Sequence, residues 1–242
     1  MNCVRSICFV VFSTLFVMSS AFASETLLNH VKSTGQAMSA FYMQGLSEGN
    51  EKYLREFTRF KKQSEILLKQ YVRENGPQGE ALLHRWQGFS GELNLEYHAD
   101  YGWEVDGRVR QDFRAYLSDI YQLVDKQKTN YSSAKDQKLL TSVQVEALAA
   151  RFFDISSTYD GTESLFTSDM KKLNPQIISA DVKDRLVSLA SSSSEAGMKN
   201  KLSSAKSKWE FVENSVVNYK GQSAYFVVYA TKNKIHQVLA QK

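Results

Sequence analysis

The sequence predicts a mainly α protein, an antiparallel bundle of long helices carrying a small β-hairpin or irregular aromatic insert. Three observations predict it. Through most of the chain apolar residues recur at steps of 3 and 4, the period of a helix with one buried face. That pattern breaks at Asn75-Gly76-Pro77 and at Asn174-Pro175, where proline cannot extend a helix and Asn-Gly favours turns. One stretch, Glu92 to Asp106, instead alternates apolar and polar residues with the period of two expected of strands.

Taken in order, residues 1–23 have one basic residue (Arg5), a mostly apolar run from Ile7 to Met18 and the small-residue pattern Ala21-Phe22-Ala23. This is the layout of a secretory signal peptide, with cleavage expected near Ala23-Ser24. Residues 24–242 are then read as one helical-bundle domain with an insert at about 92–107. Leu28, Val31, Gly35, Met38 and Tyr42 form the first helical series. After a weak point at Gly45 to Asn50, where Ser47 or Asn50 can restart a helix, the stripe continues through Tyr53, Phe57, Phe60, Ser64, Leu67 and Tyr71.

A second arm is expected after Gly79, with Leu82, Leu83, Trp86 and Phe89, and another helix from about Val109 to Val124. Within the insert, Leu93, Leu95 and Tyr97, then Tyr101, Trp103 and Val105, flank His98-Ala99-Asp100 as the arms of a hairpin would. The second half repeats the helical habit. Val145, Leu148, Phe152, Ile155 and Tyr159 lead to Gly161, and Leu165, Phe166 and Met170 continue toward the break at Asn174. Val182, Leu186 and Leu189 follow Ser179, read as an N-cap. Leu202, Ala205, Trp209, Val212, Val216 and Tyr219 make the cleanest heptad-like stripe, and Tyr225 to Leu239 closes the chain after Gly221.

Both cysteines, Cys3 and Cys8, fall inside the expected signal, so the processed chain has no thiol chemistry and no disulfide, and must be held by its apolar core. No second run of about 18 apolar residues follows, so no transmembrane anchor is expected. The whole chain carries a formal charge of +4, and losing Arg5 leaves +3, too little to imply a nucleic-acid partner. The charge is unevenly spread: eight acids meet three arginines between Glu92 and Asp125, and eight lysines meet two glutamates from Ala196 onward.

Chemistry-bearing patterns are sparse. There is no HExxH helix, no Gly-x-Ser-x-Gly elbow and no glycine-rich phosphate loop, so no cofactor and no catalytic residue are expected. The local candidate for a metal is the acidic insert, where His98, Asp100, Glu104 and Asp106 offer imidazole and carboxylate donors close together. A metal-dependent enzyme built there is the catalytic alternative. For a small ligand held between helices, Gln144 and Arg151 are the polar candidates, and Tyr225 and Tyr229 the aromatic ones.

The series Gln36-Ala37-Met38-Ser39-Ala40-Phe41-Tyr42, its long amphipathic continuation, Trp86 and Trp209 late in each half, and the closing Ala224-Tyr225-Phe226-Val227-Val228-Tyr229-Ala230 resemble a known family. They are similar to the N-terminal sensor domain of type IV pili methyl-accepting chemotaxis transducers, relatives of the periplasmic bundles of nitrate sensor kinases. The resemblance implies a helical bundle that senses a ligand outside the cytoplasm. The family's glycine-, arginine- and glutamine-rich ligand motif is missing, since Gly35-Gln36 is followed by Ala37 and Arg151 stands alone. The resulting expectation is an exported, non-enzymatic binding protein, taking a small-molecule ligand or serving as an accessory sensor subunit in the periplasm. Docking on an envelope protein is the alternative, and a homo-oligomer is left open.

Overall fold

The computed structural model describes residues 3–100, 102–158, 173–219 and 224–241, with side chains from residue 25 onward. Among them the helices are α1 (Cys3–Leu46), α2 (Glu51–Asn75), α3 (Pro77–Ser90), α4 (Gly107–Lys126), α5 (Ala134–Ser156), α6 (Pro175–Ser192), α7 (Ala196–Asn218) and α8 (Tyr225–Leu239). A hairpin of β1 (Glu96–His98) and β2 (Gly102–Glu104) separates α3 from α4, and a 3-10 turn at Lys128–Asn130 precedes α5.

The caps explain where the helices begin. The Asn50 side chain accepts from the Lys52 amide, Asp106 from Arg108 and Val109, Ser133 from Asp136, and Asn174 from Gln176 and Ile177. Each satisfies amide groups that the first helical turn leaves unpaired. Two expectations are corrected here. Helix α3 starts at Pro77 rather than after Gly79, because proline at a first helical position gives up an N–H that needs no partner there. Ser179 is not a cap: α6 begins at Pro175, and buried Ser179 accepts from Trp209 Nε1 (2.9 Å) and donates to Glu213 (2.6 Å). The helical series from Tyr159 through Gly161, Leu165, Phe166 and Met170, the hairpin residue Tyr101 and Gly221 lie outside the described residues.

Neighbouring helices run antiparallel, as paired residues show. Thr26 meets Glu74 and Phe41 meets Phe57 between α1 and α2. Arg85 meets Asp119 and Phe89 meets Phe113 between α3 and α4, while Gln144 meets Asp181 and Arg185 meets Gln137 between α5 and α6. An alternating chain brings its first and fifth helices into the same direction. Helices α1 and α5 accordingly pack in parallel, with Glu25 against Lys135 near one end and Ser39 against Glu146 further along. They form the centre of the bundle. Every residue of α5 from Leu140 to Ile155 is buried, and a helix covered on all sides has no polar face to show.

The hairpin pairs Glu96 with Glu104, Tyr97 with Trp103 and His98 with Gly102. Trp103 lies over the carboxyl end of α1, so close to Gly49 (φ +80°) that any β-carbon there would overlap the indole. Glycine at 49 therefore answers both the left-handed backbone and the space. Among the described residues, no helix is long and apolar enough to cross a membrane.

Candidate functional site

Between α1, α5 and α8 the bundle buries a full set of charges. Glu146 of α5 is completely inaccessible, and α1 makes room for it at Gly35, where an added β-carbon would stand 2.8 Å from Glu146 Cγ. Its carboxylate accepts from Ser39 Oγ (2.6 Å), from His236 Nε2 (2.6 Å) and from Lys232 Nζ, 2.9 Å from Oε1 and 3.1 Å from Oε2. Lys232 and His236 sit one turn apart on the inward face of α8, in line with Val228, Ile235 and Leu239.

The electrostatics follow from the geometry. Burial alone pushes the Glu146 carboxyl up, but the Lys232 ammonium, His236 and the Ser39 hydroxyl outweigh it and hold the group at about 2. Burial pushes the His236 imidazole down; Glu146 pulls the other way, while Lys232 and Lys32 add to the lowering. The ring is then neutral, with its proton on Nε2, and buried Nδ1, which has no hydrogen-bond partner among the described residues, keeps only a lone pair. Lys32 of α1, half-buried, is lowered by burial, raised by Glu146 and lowered by Lys232.

Above this cluster opens a cleft of about 660 Å³. Its walls are the same three helices one turn further out: Asn29 and Lys32 of α1, Lys138 and Ser142 of α5, Leu239 at the end of α8. Ser142 stands one turn from Glu146, and Leu239 one turn from His236, so the charged cluster underlies the cleft floor. Three lysines, 32, 135 and 138, face one lining carboxylate, Glu25. Lys135 pairs with Glu25 (2.7 Å) and Lys138 donates to the Gln241 carbonyl (2.9 Å), whereas Lys32 has no hydrogen bond or ion pair among the described residues. The amino end of α5 adds its partial positive charge to the same opening.

Two further polar clusters are structural in character. Asp154 of α5 takes a bidentate pair from Arg114 (2.7 and 3.0 Å) and a third bond from Arg110 (3.2 Å), both on α4. His30, completely buried, lies 3.0 Å from the Ser64 carbonyl through Nδ1 and 2.9 Å from the Tyr116 hydroxyl through Nε2. A carbonyl only accepts, so Nδ1 carries the proton and Tyr116 donates to Nε2. Burial lowers this imidazole to about 4, with the Ser64 bond opposing.

The residues singled out from the sequence are dispersed. Gln144 is buried but turned to α6, bonding Asp181 (3.4 Å) and Arg185 (3.3 Å). Arg151 is buried toward α7, reaching the Val216 carbonyl (3.5 Å). Tyr225 packs on Phe226 at the start of α8. Tyr229 alone touches the charged cluster: Lys232 Nζ stands 4.4 Å above its ring, and its hydroxyl donates to Glu56. In the insert His98 and Asp100 are exposed, Glu104 meets Arg110 (3.5 Å) and Asp106 caps α4. Among the described residues no three His, Cys, Asp or Glu side chains are grouped to hold a metal.

Sequence reasoning missed Lys32, Glu146, Lys232 and His236. The available signal was a charge in the wrong place: Glu146 interrupts an apolar run, and Lys232 and His236 occupy inward stripe positions. No protein-family model, curated protein or solved structure matches the chain.

Proposed function

We propose that the protein is an exported, non-enzymatic binding protein that takes a small anion, a carboxylate or phosphate, in the Lys32 cleft. The observation that carries this reading is Lys32 itself: an ammonium half withdrawn from water, with no ion-pair partner among the described residues, at the floor of a cleft lined by two more lysines. An anion there would supply a charge-assisted hydrogen bond that the fold does not. The cluster beneath supports binding over catalysis. A carboxylate held at about 2 and occupied by three donors is too weak a base to move protons near neutral pH. The layout of residues 1–23 supports export, and an accessory sensor subunit in the periplasm is a natural setting for such a domain.

The test is a thermal-unfolding series with phosphate, sulfate and succinate. A ligand present at about 100 times its Kd adds roughly 2.7 kcal/mol, which raises the midpoint by about 5 to 10 °C in a chain of this size. Such a shift with one of these anions, abolished by Lys32→Met, is expected. A flat series favours the second reading, a docking surface for an envelope protein, which Phe226 and Val227, exposed at the far end of α8, support.

A further inference from the structure

The parallel packing of α1 and α5 gives the bundle a second cleft of opposite character, at the carboxyl ends of both helices. A cavity of about 680 Å³ lies between these ends and the hairpin. One wall is aromatic: Tyr97 and Trp103 have ring centroids 5.7 Å apart, and Tyr97 is 66 % exposed. Glu48 and Glu104 line the cavity as well, and none of its described lining residues is a lysine or arginine.

The hydroxyl groups decide what the cavity selects. Ser156 Oγ donates to the Phe152 carbonyl (2.8 Å), Ser157 Oγ to Asp154 (2.8 Å) and Thr158 Oγ1 to Ile155 (2.7 Å). Each hydroxyl hydrogen is spent within the helix end, so these oxygens have only lone pairs to offer. Arg110 is spent too, bonding the Asp154 and Ser157 carbonyls, Ser157 Oγ and Glu104. Glu48, Ser156 and Thr158 offer acceptors, Glu104 and Ser157 Oγ share theirs with Arg110, and the donors among the described lining side chains are the Tyr97 hydroxyl and the Trp103 indole N–H. A ligand that fits must bring positive charge and several N–H donors, with an alkyl portion that can lie on the rings.

We infer that this cavity is a binding site for a short aliphatic diamine or polyamine, its ammonium groups taken by Glu48 and Glu104 and its methylenes by Tyr97 and Trp103. The inference does not rest on the anion reading, because the two clefts share no lining residue. Isothermal titration of the purified full chain with spermidine at low ionic strength tests it. Saturable one-site binding is expected, at least ~10-fold weaker in Glu48→Gln and in Tyr97→Ala. Both side chains are exposed, so neither change threatens the fold. Lys32→Met should bind spermidine as the parent does, which keeps failure here distinct from failure of the anion site. Hexane-1,6-diol, which lacks the charge, should not bind, and tetramethylammonium, which lacks N–H donors, should bind more weakly than spermidine. Absence of saturation, equal affinity in both variants, or equal displacement by magnesium would each overturn the assignment.

Discussion

At Glu146 a carboxylate without access to water is satisfied by Ser39, Lys232 and His236, so removing its charge strands the Lys232 ammonium in the core. Glu146→Gln should cost about 3–5 kcal/mol, read from urea unfolding at neutral pH. The same group sets an acid limb. Its folded value of about 2 lies below the ordinary 4.5, so its stabilisation is complete above pH 4.5 and is lost as pH falls toward 2, by about 3 kcal/mol. His30 acts at higher pH. Held at about 4 against an ordinary 6.5, it lets the unfolded chain take up a proton that the folded one refuses. Stability should therefore be full above pH 6.5 and decline by about 3 kcal/mol on the way down to pH 4. His30→Gln, though less stable at pH 7, should flatten that part of the profile; an unchanged slope would locate the titration elsewhere. Glu146 was legible only as an anomaly, since the sequence shows a charge among apolar neighbours but not the residues from α1 and α8 that meet it. His30 gave no signal, because its partners Ser64 and Tyr116 lie on different helices.

Among the elements, α2 and α4 were legible because each buries a single stripe, and periodicity reports a stripe. The hairpin was legible for the matching reason, a period of two over residues 92–106. Helices α1 and α5 are different. Buried on nearly every side, they have no polar face to fix their orientation, and their parallel contact comes from the count of helices between them. That contact depends on a glycine. At Gly35 a methyl group would sit 2.8 Å from Glu146 Cγ, so Gly35→Ala should destabilise the chain by about 1–3 kcal/mol through overpacking, despite alanine's better helix propensity. A surface glycine-to-alanine change such as Gly88→Ala, in α3 with open space around it, should have the opposite sign and gives the control. The hairpin is anchored in the same way. Gly49→Ala should lift Trp103 from the end of α1, seen as faster amide exchange in residues 96–104 with the helical core unchanged.

Over the whole molecule, the parallel pair at the centre makes the two ends unlike. Lysines gather near the amino end of α5, and carboxylates with aromatic rings gather where α1 and α5 finish. A net charge of +4 says nothing of this, because it averages over both ends. Where the chain works is a separate expectation, carried by its first residues. Residues 1–23 have one basic residue, an apolar run and the small-residue pattern Ala21-Phe22-Ala23, the layout of a removable export signal. The full chain expressed in a bacterium should be recovered from the periplasm with Ser24 as its first residue, by N-terminal sequencing. Replacing the small residue at the cleavage site, Ala23→Leu, should leave the precursor uncut. If the parent itself stays uncut in the cytoplasm, the export reading fails, while the chemistry of both clefts, argued from described lining residues at 25 and beyond, stands apart from it.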